Sequence, residues 1–133
     1  MRAPFAPLPL PGRPEPRPVL DVVLDGRDDM PLLCLIDTGS LRTRLPGWVS
    51  EVLGIGLEGA PEERAVVGGV STMCRHAHVS VRIGQHDEVP AGVWFCDGWR
   101  AAFGLLGQED FLRAFRLEFS SAVGWFELRP ERP

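Results

Sequence analysis

Leu32-Leu33-Cys34-Leu35-Ile36-Asp37-Thr38-Gly39-Ser40 decides how this chain is read. The apolar run from Leu32 to Ile36 has the length of a buried strand and is short for a helix. It stops at a carboxylate followed by three small residues. A buried strand of this kind delivers Asp37 to a rigid point. Thr38 has a hydroxyl with which to lock the turn from inside. Gly39 lacks a Cβ, so a second backbone or a ligand can approach the carboxylate closely. Ser40 has a hydroxyl to donate to that same carboxylate. An ordinary strand-ending turn uses these residue types too, so the tetrapeptide alone leaves both readings open.

Outward from this stretch the chain is a series of short strands. Residues 19–24 read as a strand, and Asp25-Gly26-Arg27-Asp28-Asp29 as the turn joining it to the apolar run. A short helix is expected over residues 48–53, stopped by Gly54. Residues 64–67 and 73–83 read as strands flanking Gly68-Gly69-Val70-Ser71, with the partial alternation of a half-buried strand over residues 76–83. Residues 89–95 form another strand candidate, and residues 110–115 a brief helix after Gly107. Residues 116–119 and 125–128 pair across a turn holding Gly124. Many short strands at close spacing predict a mainly β barrel or sandwich.

Residues 1–18 hold seven of the 13 prolines. They have few backbone donors and favour extended conformations, so they read as a flexible tail outside a domain over residues 19–128, with a second short tail over residues 129–133. The chain has 133 residues, a net charge of −4 and 24% charged residues. That excludes a global basic field for nucleic acid or anionic membrane, and no apolar run approaches the ~20 residues of a spanning helix. All 14 basic residues are Arg, and Lys, Asn and Tyr are absent. Their codons are A/T-rich, which points to a GC-rich, bacterial genome and removes Schiff-base Lys and Tyr chemistry. Cys34, Cys74 and Cys96 make an odd count without an N-terminal apolar leader. This predicts reduced, buried thiols in a cytoplasm.

Cys74, His76 and His78 lie on one face of a predicted strand and have ligand chemistry suited to zinc. Neighbours two apart are about 6.8 Å from each other along a strand, too far for one ion to take all three. They read as polar residues on the outer face of a hairpin, and no metal or cofactor is expected. Trp48, Trp94, Trp99 and Trp125 read as core or interface groups.

Three stretches, in order, resemble the retroviral-type (retropepsin-like) aspartic proteases, in a bacterial single-lobe form. Leu35-Ile36-Asp37-Thr38-Gly39-Ser40-Leu41-Arg42-Thr43-Arg44-Leu45 is similar to the family's catalytic loop. Val66-Val67-Gly68-Gly69-Val70 is similar to the tip of its flap, a hairpin that closes over peptide. Leu105-Leu106-Gly107-Gln108-Glu109-Asp110-Phe111-Leu112 is similar to its late apolar-apolar-Gly turn and following helix. The resemblance implies a single-lobe closed β barrel with a flap hairpin and one short C-terminal helix. It implies peptide hydrolysis by two carboxylates sharing a proton. With one Asp-Thr-Gly in the chain, the second carboxylate would come from a second copy across a two-fold axis, with a sheet of chain ends near residues 125–128 joining the copies. Asp37, Thr38, Gly39 and Ser40 would then be catalytic, and Leu41, Val67, Gly68, Gly69 and Val70 would bind a peptide or protein substrate. Activity would be bell-shaped on the acid side of neutral.

The sequence departs from the family where many members pair an acidic residue after the tetrapeptide with an Arg after the late Gly. Leu41 and Gln108 stand there, so substrate binding must differ. Arg42 and Arg44 read as solvated. The rival reading is a non-proteolytic homodimeric module of the same fold that binds peptide.

Overall fold

The computed structural model describes residues 1–85 and 87–131. In chain order the strands are β1 (Arg2–Pro4), β2 (Ala6–Pro7), β3 (Pro16–Arg17), β4 (Val19–Leu24), β5 (Leu32–Ile36) and β6 (Arg44–Pro46). Helix α1 (Gly47–Leu53) follows, then β7 (Glu62–Val67), β8 (Val70–Ile83), β9 (Asp87–Cys96), β10 (Gly104–Leu106), β11 (Phe115–Ser120) and β12 (Trp125–Pro130). The architecture is mainly β, as the close spacing of strands predicts.

The main sheet runs β4-β5-β10-β6-β9-β8-β7, and β4 also pairs with β8. That extra pairing closes six strands into a barrel and leaves β7 outside it. Closure removes sheet edges that would otherwise need cover. The interior is filled by alternating residues such as Val22, Leu24, Cys34, Val81, Ile83, Val93 and Phe95, each almost wholly buried. Each large apolar side chain buried in this way contributes roughly 1.5–3 kcal/mol.

Strand β8 belongs to two structures. Val79, Val81 and Ile83 point into the barrel, whereas Thr72 and Cys74 are buried with the opposite parity. The parity changes where β8 leaves the barrel. There Cys74, Trp94 and Cys96 form a small second core with Ala65 and Trp99 packed against it. Beyond it, β7 and β8 continue as a projecting hairpin whose tip is Gly68-Gly69, closed by the Val67↔Val70 pair. Both glycines have positive φ, 58° and 79°, as a two-residue hairpin loop of the mirror-image turn type demands.

The chain ends depart from expectation. Residues 1–18 are not a loose tail: β1 pairs with β12, and β2 pairs with β3. Proline is tolerated because these are short edge segments whose missing donors face no partner. The second expected tail, residues 129–133, begins inside β12, and residues 132 and 133 lie outside the described residues. The helix expected over residues 110–115 is a single 3₁₀ turn, Leu112–Ala114, because Phe115 is already extended and starts β11. Among the described residues, no helix is long and apolar enough to cross a membrane.

Candidate active site

Asp37 sits at the end of β5, where that strand runs parallel to β10 with Ile36 opposite Leu106. The Asp37 amide donates to Leu106 O at 3.1 Å, so the residue is fixed by the barrel itself. The turn beyond it is tight. The Gly39 amide donates to Asp37 Oδ1 at 3.1 Å, and the Ser40 amide donates to Asp37 O at 3.1 Å. The structure brings Thr38, Gly39 and Ser40 around Asp37, with one change of role. Ser40 Oγ donates to Arg42 O at 2.8 Å and not to the carboxylate. The hydroxyl braces the loop because the carbonyl two residues on is within its reach.

The late turn is zipped onto this loop. The Gln108 amide donates to Ser40 O at 2.8 Å and the Glu109 amide to Leu41 O at 3.0 Å. The Gly107 amide donates to the buried Thr43 Oγ1 at 3.1 Å. Gln108 Nε2 donates to Thr38 O. Gln108 therefore uses its side chain to hold the Asp37 turn, and Leu41 is left exposed at the loop's crest.

Charge reappears one residue along each loop. Arg42 Nη1 meets Glu109 at 3.0 Å, which joins the two segments with the polarity reversed. Arg42 also reaches Glu63 on β7 at 3.4 Å. Arg44 reaches the other oxygen of Glu63 at 3.5 Å and donates to Cys74 Sγ at 3.3 Å. The expectation that both arginines are solvated is thus incorrect. Arg44 is buried and Arg42 lies over the Trp94 ring, 5.2 Å from its centroid. The reason is the hairpin, which folds back and places a carboxylate between the two guanidinium groups. Sequence spacing carried no sign of Glu63 as their partner.

The cysteines also depart from expectation. Cys74 and Cys96 face each other across β8 and β9 and form a disulfide. Cys34 alone is a free thiol, buried in the barrel, and burial pushes it up to about 12. The inference of three reduced thiols therefore fails, and with it the cysteine argument for a cytoplasm. The pairing follows from the register of the β8–β9 hairpin, which sets Ile83 opposite Asp87 and so Cys74 opposite Cys96. Among the described residues, no group of three or more His, Cys, Asp or Glu side chains is placed to hold a metal ion. His76 and His78 stack edge-on at 4.8 Å, and His76 lies 4.9 Å from Trp94.

Between the hairpin and the barrel rim lies an apolar cavity of 470 Å³. Val67, Gly68 and Val70 line it from the hairpin. Leu35, two residues before Asp37, and Leu105 line it from the barrel, with Trp99 at the side. Trp99 is held in place by its indole N–H, which donates to Phe103 O at 2.9 Å. Of the predicted substrate residues, Val67, Gly68 and Val70 meet at this cavity. Leu41 and Gly69 do not line it.

A solved retropepsin-like aspartic protease from Rickettsia conorii superposes on this chain with a TM-score of 0.58, covering 83% of this chain and 80% of that one. The fold is retropepsin-like. Identity across the match is 17%, so the similarity is one of fold. No protein-family model matches the sequence, and no curated protein does. A retropepsin-like barrel gives each motif its place: the Asp-Thr-Gly turn on β5, the late glycine on the turn after β10, and the hairpin beside both.

Proposed function

We propose that this protein is an aspartic endopeptidase that acts as a homodimer. The observation that carries the reading is the setting of Asp37. A carboxylate at the end of a core strand is fixed by its own backbone, braced by the Gly107–Glu109 turn, and flanked by an apolar cleft under a projecting hairpin. A structural turn needs none of these supports.

The chemistry follows from pairing two such carboxylates. One Asp37 takes a proton from water and the other, protonated, donates to the scissile carbonyl oxygen. The water oxygen bonds to the carbonyl carbon. The C–N bond then breaks as the leaving amine takes a proton from the first Asp37 and a gem-diol hydroxyl returns one to the second, which restores the acid carbonyl and the singly protonated pair. Each chain supplies one carboxylate, so the site is complete only in the dimer. The β7–β8 hairpin would cover the peptide and exclude bulk water. Thr38, Gly39 and Ser40 hold the geometry. Val67, Gly68 and Val70 contact substrate from above, Gly69 lets the tip move, and Leu41 presents an apolar surface at the crest.

The test is a peptide-library digest with wild type beside Asp37→Asn. Cleavage on the acid side of neutral by the wild type alone is the expected result. Cleavage that persists in Asp37→Asn removes the aspartic mechanism. Peptide binding by the wild type without any cleavage makes the protein a non-proteolytic module instead.

A further inference from the structure

The proline-rich start of the chain does not end at β1. Residues 6–17 fold into a hairpin of their own, with Ala6 opposite Arg17 and Pro7 opposite Pro16. Its tip is set by two backbone bonds, Leu10 N to Leu8 O at 2.7 Å and Arg13 N to Leu10 O at 3.2 Å. Both ends are fixed to the body. The Phe5 amide donates to Gly124 O at 2.7 Å, and the Ile36 amide donates to Pro18 O at 2.9 Å. The second bond ties the base of this hairpin to the residue immediately before Asp37. Leu8 is 6% exposed, and Leu10 lines the apolar cavity with Leu35, Val67, Val70, Trp99 and Leu105.

An apolar side chain carried to the cleft on a proline-stiffened, doubly anchored hairpin loses little further entropy when a ligand packs on it. Leu10 remains 43% exposed, so it borders the cavity without filling it. We infer that the N-terminal hairpin is a wall of the cleft beneath the β7–β8 hairpin, and that Leu10 sets the size of the apolar side chain admitted there. The inference rests on the proposed peptidase reading for its substrate, a peptide with a large apolar side chain beside the scissile bond.

The test uses the full chain and three peptides that differ only in carrying Leu, Phe or Trp at the position beside the cleaved bond. Relative kcat/KM is measured for wild type and Leu10→Ala. Relative Kd for the same labelled peptides is measured in an Asp37→Asn background with and without Leu10→Ala. Trimming the isobutyl group to a methyl should shift preference toward Phe and Trp over Leu by roughly tenfold in both readouts, the scale on which a few carbons discriminate in an apolar pocket. Unchanged ratios overturn the inference. So does a uniform gain for all three peptides, which would make Leu10 a plug that competes with every ligand. A shifted Kd ratio with no cleavage by any protein keeps the wall and removes the peptidase reading. Absence of binding and cleavage for all peptides removes both.

Discussion

A Cβ added to Gly107 would lie 2.2 Å from the backbone carbonyl oxygen of Arg42. The late turn and the Asp37 loop approach so closely that no side chain fits between them. The obstructing atom is main chain and cannot rotate aside. Gly107→Ala should therefore separate the turn from the loop, break the Gly107–Thr43 and Gln108–Ser40 bonds, and cost at least about 1–3 kcal/mol. Chemical denaturation checks this. A midpoint equal to wild type would mean the two segments are not packed as found.

How much of this was legible beforehand differs by element. β4 and β5 could be read to the residue because their apolar runs are bounded by turn residues and a charged end. β6 and β10 have no signature in the sequence, because three residues carry no periodicity. Asp37, Gly39 and Gly107 stand out as residue types. The partners of Ser40, Arg42 and Arg44 do not, because each lies across a fold-dependent contact. Proline content misled at the N-terminus: it reports few donors, and β1 finds its partner in β12 regardless.

Glu63 holds the β7 arm to the Asp37 loop through Arg42 and Arg44. Glu63→Gln keeps the shape and removes the charge, leaving the buried Arg44 without its carboxylate. A loss of about 1–2 kcal/mol is expected, below the 3–5 kcal/mol of a fully buried pair because Glu63 is partly exposed. A freer hairpin should raise KM more than it lowers kcat. Steady-state kinetics and thermal melts read both effects, and equal falls in kcat and kcat/KM would place Glu63 in the chemical step instead.

Thiol counting separates the two accounts of the cysteines. With Cys74 and Cys96 joined and Cys34 enclosed in the barrel, an aromatic disulfide reagent should label none in the native protein. It should label Cys34 alone after denaturation, and all three after denaturation with reductant. A thiol buried and pushed up to about 12 has almost no reactive thiolate at neutral pH. Reduction should cost about 3 kcal/mol of stability for a loop of this length. Three reactive thiols in unreduced, denatured protein would restore the sequence expectation.

His76 gives stability a pH dependence of definite sign. Burial is the main force pushing its imidazole below the ordinary range, helped by His78 and Arg42 and opposed by Asp110. A histidine depressed in the folded state binds its proton more readily when unfolded. Stability from this group is therefore full above the unfolded value of about 6.5 and declines as pH falls toward the folded value. Wild type should lose denaturation midpoint between neutral and mildly acid pH, and His76→Gln should lose less. Parallel curves for the two proteins would show that the imidazole is not responsible.

Assembly is the last and most discriminating matter. The sheet β1-β12-β11 places β12 in the centre, with its backbone paired on both sides within the chain. A joining sheet of chain ends near residues 125–128 would therefore have to be extended from the outer edges of β1 or β11. β11 keeps an outer edge, and Phe119 on it is exposed. Whatever surface joins the copies, a site made of two Asp37 carboxylates has a signature independent of it. When wild type and Asp37→Asn are mixed in equal amounts and allowed to exchange, random pairing leaves both carboxylates in about a quarter of the dimers. Activity per total protein should fall to about that fraction of wild type, whereas a self-sufficient monomer would retain about half. Sedimentation at the assay concentration must show the mixed species at the mass of a dimer. Activity of about half in a fully exchanged mixture would mean that each chain carries its own complete site, and the shared dyad would be wrong.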